Sequence, residues 1–147
     1  MITMKKLLTI LSVITCLFIV GCGDDAKISS DSPGDTATAY FDALYNQKDL
    51  QKASKMATPN LTRIMKSYGT AKQFSRNLIN MQYDEVVIEV DMSNMSLREQ
   101  YGDKAKINLI FTGTLNGGKI DEMRSVKMLR KKGKWYVDKI VADPYAR

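Results

Sequence analysis

Histidine is absent from this chain. The commonest general base and the commonest zinc ligand are therefore missing, and acid–base chemistry is left to carboxylates, tyrosines and lysines. Cysteine is nearly as scarce: Cys16 and Cys22 are the only two, both close to the amino terminus. Everything after Cys22 is without a thiol, so it offers no disulfide, no thiol nucleophile and no cysteine-ligated metal. There is no glycine-rich phosphate loop, no Gly-x-Ser-x-Gly elbow and no calcium-loop spacing. Long apolar runs are missing too. The longest, Leu7 to Val20, has 14 residues and spans ~21 Å as a helix, against the ~30 Å of a bilayer core.

What is present describes one ordinary domain behind an unusual front end. The 147 residues suit a single domain. A hydrophobic content of 44% beside 26% charged residues is the balance of a folded globular chain. The front end reads differently. Met4-Lys5-Lys6 is a basic start, the Leu7 to Val20 run has the length of a signal-peptide core, and Gly21-Cys22 ends it before an acidic Asp24-Asp25. Either Met1 or Met4 serves as the start. Ile19-Val20-Gly21-Cys22 resembles the bacterial lipobox. That resemblance implies a diacylglyceryl group on the Cys22 thiol, cleavage between Gly21 and Cys22, and a mature protein held to a membrane by acyl chains. Two or more such chains hold a protein stably. Among Gram-negative lipoproteins, an aspartate directly after the cysteine favours the inner membrane. Gly23 holds that place here and Asp24 comes one later, which points to the outer membrane of such a cell. Removal of residues 1–21 takes Lys5 and Lys6 away and lowers the net charge from +6 to +4. That excess is on the scale of solubility rather than of a nucleic-acid footprint.

Residues 22–31, small and charged apart from Ile28, read as a lipidated tether. The domain is expected over 32–147, beginning with helices. Ser32 is an N-cap, Pro33 suits the first helical position and Asp35 sits in the first turn. Ala37, Tyr40, Phe41, Leu44 and Tyr45 form one buried stripe. Asp49 caps a second helix with Leu50, Ala53, Met56 and Ala57 inward. Thr58-Pro59 repeats the signature for a third, with Leu61, Ile64, Met65 and Tyr68, which Gly69 ends. Thr70 opens a last helical piece carrying Phe74, Leu78 and Ile79.

From Tyr83 the period changes to two. Val86, Ile88, Val90 and Met92 are expected on one face, with Glu89 and Asp91 on the other. Ser93 to Gly102 reads as a loop. Ala105, Ile107, Leu109 and Phe111 alternate, and Asn116-Gly117-Gly118 is a hairpin signal. Ile120 to Arg130 returns, with an apparent change of phase between Ile120 and Val126 that suggests a bulge. Lys132-Gly133 turns into a last strand, Lys134 to Val141, with Trp135, Val137 and Ile140 inward. Helices first and an antiparallel meander second make an α+β fold, with the helices on one face of a curved sheet of about four strands.

The front "SPGDTATAYFDALYNQKDLQKASKM" and the end "VKMLRKKGKWYVDKI" resemble small lipoproteins carrying a nuclear transport factor 2-like, or cystatin-like, cone-shaped domain. The resemblance covers most of residues 32 to 142 and implies a pocket between the first helix and the sheet. Tyr40, Tyr45 and Trp135 are candidates for its lining. Ketosteroid-isomerising enzymes of that fold use a carboxylate base with a tyrosine and a protonated aspartic acid. No such set assembles here, because Asp84, Asp91 and Asp138 are expected to point outward. Met92 and Met95 offer two thioethers, too few for a copper site, and no metal or cofactor is expected. Arg124, Lys127, Arg130, Lys131, Lys132 and Lys134 form the one dense basic cluster. It reads either as a charged edge that discourages strand addition or as a surface for anionic headgroups or cell-wall polymers. The expected function is non-catalytic: an envelope lipoprotein binding a small ligand or protein partner, with no nucleic acid. The alternatives are an enzyme of the cone fold and an immunity or exclusion lipoprotein.

Overall fold

A computed structural model describes residues 32–93 and 102–141. The leader, Gly21, Cys22, the tether and Met95 lie outside the described residues, as does most of the Ser93 to Gly102 connection.

Helix α1 (Pro33–Tyr45) starts as its sequence dictates. The Ser32 hydroxyl oxygen accepts from the Asp35 N–H at 3.4 Å, and Pro33 takes the first helical position. All five residues of the expected stripe are buried. The carboxylate of Asp49 accepts from the Lys52 N–H at 2.8 Å and opens α2 (Leu50–Lys55). At the third helix, α3 (Pro59–Tyr68), the expected side-chain cap is not made. Thr58 is buried and its N–H donates to the Val137 carbonyl at 2.9 Å, while the Val137 N–H donates to Met56 at 2.8 Å. The chain before α3 is thus held by a short parallel bridge to the last strand, and helix capping gives way to it.

Gly69 leaves α3 at φ 77°, and Thr70 caps α4 (Ala71–Phe74), which runs straight into a π-helical turn, Ser75–Ile79. Two expected core residues are displaced here. Ile64 is 38% exposed and Leu78 37%. Helix α3 is peripheral and buries only Leu61 and Met65. The wider π turn changes the angular step between residues, so Ile79 turns inward and Leu78 outward.

The four strands β1 (Glu85–Val90), β2 (Lys104–Leu115), β3 (Gly118–Lys131) and β4 (Lys134–Val141) form one antiparallel sheet in chain order. The α+β class and the four-strand meander are as expected. Asn116-Gly117 joins β2 to β3 with φ of 51° and 79°, and Lys132-Gly133 joins β3 to β4 with φ of 50° and 80°. Both are two-residue turns of the left-handed kind that match strand twist. Strand β1 stops at Val90, and the alternation expected beyond it fails. Met92 is 69% exposed, whereas Asp91 is buried and accepts from the Ser93 N–H at 2.9 Å and the Ser93 hydroxyl at 2.5 Å.

The bulge is real but lies elsewhere. Pairing of β2 with β3 runs unbroken from Lys104↔Leu129 to Leu115↔Gly118. The register slips on the other side, between Lys127 and Met128, where β4 carries Asp138 as an extra residue. Every even-numbered residue of β3 from Ile120 to Met128 therefore shares the face of Phe111 and Leu109. Two of them, Glu122 and Arg124, are charged, which is what makes the strand read as out of phase.

Helix α1 packs across all four strands. Phe41 meets Phe111 edge-on at 5.0 Å, Tyr83 stacks on Phe111 at 6.2 Å, and Tyr45 meets Tyr83 edge-on at 5.3 Å. Such pairs contribute ~0.5–1.5 kcal/mol each beyond the area they bury.

Candidate functional site

Side chains fill the space between the middle of α1 and the sheet. Tyr40 and Phe41 are wholly buried, and the Tyr40 hydroxyl donates to the thioether of Met65 at 3.4 Å. Burial, and secondarily the neighbouring Tyr45, push the Tyr40 phenol far above its ordinary range. Trp135 is also buried, at the far end of the sheet, with the Arg130 guanidinium 5.9 Å from its ring centre. Of the three expected pocket residues, Tyr45 borders an open space. That is a cavity of ≈ 340 Å³ beside Ser75, Tyr83, Lys48 and Lys72. The Tyr45 hydroxyl donates to the Met81 carbonyl at 3.4 Å. Burial raises its pKa, and the Ser75 hydroxyl and Arg124 partly offset the rise while Glu122 adds to it.

A larger cleft, ≈ 1070 Å³ and open to solvent, lies where β3 runs past the end of β4. Ile64 and Leu78 stand on its helical wall, and Glu122, Met123 and Arg124 on its sheet wall. The two helical side chains that missed the core thus face one concavity. Across from them Arg124 lies 3.6 Å from Glu122, with its side chain 12% exposed and that of Glu122 32%. Its guanidinium also donates to the Met123 carbonyl at 2.8 Å, and the Tyr83 hydroxyl donates to Glu122 at 3.4 Å. Burial, followed by the charge of Glu122, raises the Tyr83 phenol as well. The arrangement sets a guanidinium donor and a carboxylate acceptor beside apolar walls.

Of Glu122, Arg124, Tyr83, Ile64 and Leu78, the sequence singles out only Arg124, and that as a member of the basic cluster. One signal was there to be read: two charged residues at inward positions of an otherwise regular strand. The expected basic cluster, by contrast, divides. Arg124 and Arg130 belong to the helix-facing side of the sheet, Lys127, Lys131 and Lys134 to the opposite side, and Lys132 to the turn. Asp84 and Asp138 are exposed, as expected. Among the described residues no group of acidic or thiol side chains could hold a metal ion. No protein-family model matches the chain, and no curated protein sequence matches it.

Proposed function

We propose that the protein is a bacterial envelope lipoprotein, anchored through lipid on Cys22, whose domain is a cone-type, nuclear transport factor 2-like binding module. The binding surface is the cleft beside β3. One observation carries this reading: Ile64 and Leu78, both exposed, face the partly sheltered Glu122–Arg124 pair across an open concavity. Exposed apolar side chains gathered in one place mark interaction sites, whereas scattered ones do not. The filled interior supports a surface that meets a protein partner rather than a closed chamber that swallows a small molecule.

The anchor and the cleft are tested separately. Mass spectrometry of protein extracted from cells is expected to find a chain that begins at an acylated Cys22. An intact residue 1–21 segment or a bare thiol sinks the anchor. For the cleft, a photo-crosslinking amino acid at Leu78 is expected to trap a discrete, saturable partner in intact cells, and one at Arg63 is not. Ile64→Asp should abolish the adduct while leaving the fold intact; an adduct that survives it places binding elsewhere.

A further inference from the structure

The face of the sheet turned away from the helices carries a row of like charge that the sequence does not reveal. Lys106 pairs with Lys127, and Lys127 with Lys139, so three adjacent strands set lysines directly side by side. Two further rows, both toward the β3–β4 turn, extend the patch. One joins Lys104 to Leu129 and Tyr136, the other Lys131 to Lys134. All six lysines are exposed. The only ion pairs among the described residues are Lys119–Asp121 and Arg124–Glu122, so none of the six is neutralised by a carboxylate there. The outward carboxylates Glu85, Glu89 and Asp121 pair with Thr114, Ile110 and Thr112, toward the opposite end of the sheet. Asp138 adjoins Lys139 in the chain but makes no ion pair with it.

Like charges placed directly opposite on neighbouring strands destabilise a sheet. A row of three is therefore a standing cost that an anionic partner would remove. Strands lie ~4.8 Å apart and alternate side chains ~6.8 Å apart, so six cationic tips crowd a patch roughly 10 by 15 Å. Half-buried Leu129 and Tyr136 lie between them, apolar bodies with one polar tip of the kind that suits a headgroup boundary.

We propose that this lysine face docks on the anionic headgroups of the membrane that holds the lipid anchor. The membrane source rests on the anchor reading above, and the physical link is distance. Charge attraction fades within ~8 Å at physiological salt, so a weak patch acts only if something keeps it near the surface. Ten residues of solvated chain, the expected length of the 22–31 tether, would have a root-mean-square reach of ~17 Å. Docking would lay the sheet against the bilayer and turn the helices, with the helical wall of the cleft, outward; Lys139 also lines that cleft where it opens at the sheet edge.

Full-length protein purified from membranes is reconstituted on vesicles of phosphatidylcholine alone and on vesicles with about a third phosphatidylglycerol. Lysine reactivity toward an amine-acylating reagent is read residue by residue. On the anionic vesicles Lys106, Lys127 and Lys139 are expected to react at least ~3-fold more slowly, each lysine at the surface adding about fivefold to partitioning. High salt should restore the rate, and Lys66 and Lys72 on the helices should not change. In the Lys106→Gln, Lys127→Gln, Lys139→Gln variant the protection of Lys104, Lys131 and Lys134 should disappear. Protein that floats with both vesicle types but shows equal lysine reactivity overturns the docking and leaves the anchor standing. Flotation only with anionic vesicles, reversed by salt, upholds the lysine face and removes the anchor. Flotation with neither overturns both. Protection by a soluble polyanion, without protection by anionic vesicles, assigns the face to a polymer and overturns the membrane proposal.

Discussion

Arg124 lies beside Glu122 on the helix-facing side of β3, 3.6 Å away, and the hydroxyl of Tyr83 reaches the same carboxylate oxygen at 3.4 Å. Residues two apart on a strand share a face, so the pairing follows from the strand itself once its inward side is known. The relationship has consequences for stability. Arg124→Ala leaves a partly sheltered carboxylate with a phenol as its only partner and removes the cover of the Met123 carbonyl. A loss of ~1–3 kcal/mol is expected, below the range for fully buried pairs because Glu122 retains some contact with water. Glu122→Gln keeps the shape and should cost less. Urea denaturation of both variants checks the order; equal or reversed losses would refute the arrangement.

Three of the seven tyrosines, Tyr40, Tyr45 and Tyr83, have folded-state pKa values raised above the ordinary 10.0, chiefly by burial. Below pH 10 these phenols are neutral in both folded and unfolded chains and their contribution is constant. Above it the unfolded chain loses those protons first, so the folded state binds more protons and stability falls as pH rises. The expected slope is about 1.4 kcal/mol per pH unit for each such tyrosine. Phenolate absorbance should show these three ionising only together with unfolding. Reversible ionisation in the folded protein near pH 10 would contradict their burial.

Gly113 sits opposite Val86 in the β1–β2 pairing. A Cβ there would collide with the Glu85 carbonyl and stand 2.6 Å from the Tyr83 ring. Gly113→Ala is expected to cost ~1–3 kcal/mol through overpacking. Gly118→Ala, whose nearest neighbour would be an ordinary 3.5 Å away, should cost far less. Thermal melts of the two variants provide the comparison.

Phe41→Ala should lose ~3–5 kcal/mol, since it empties the centre of the aromatic cluster. Leu78→Ser should stay within ~0.5 kcal/mol of the parent, as substitutions at exposed sites usually do. Together they separate the residues that hold the fold from those left over for contact. A large loss in Leu78→Ser would mean that it belongs to the core after all.

Much of this architecture can be read along the chain because short-range chemistry fixes it. Ser32 and Pro33 start α1, the stripe from Ala37 to Tyr45 turns inward, and Asn116-Gly117 allows only a tight reversal at its positive φ values. Each depends on neighbours within a turn or two. Thr58 reads as a cap but bonds to Val137 across the fold, and Ile64 and Leu78 read as core but stay more than a third exposed. Glu122 and Arg124 disguise a regular strand because a charged pair can occupy an inward face only where a cleft lets water in. Lys106, Lys127 and Lys139 are scattered over three strands and become one row only through register. The sequence by itself determined the order of helices and strands, the start of α1 and its buried stripe, and the two tight turns, since those choices are settled by local hydrogen bonding and periodic burial. Tertiary structure alone decided which side chains from distant segments meet, because that depends on strand pairing and on the volume left unfilled when the layers close.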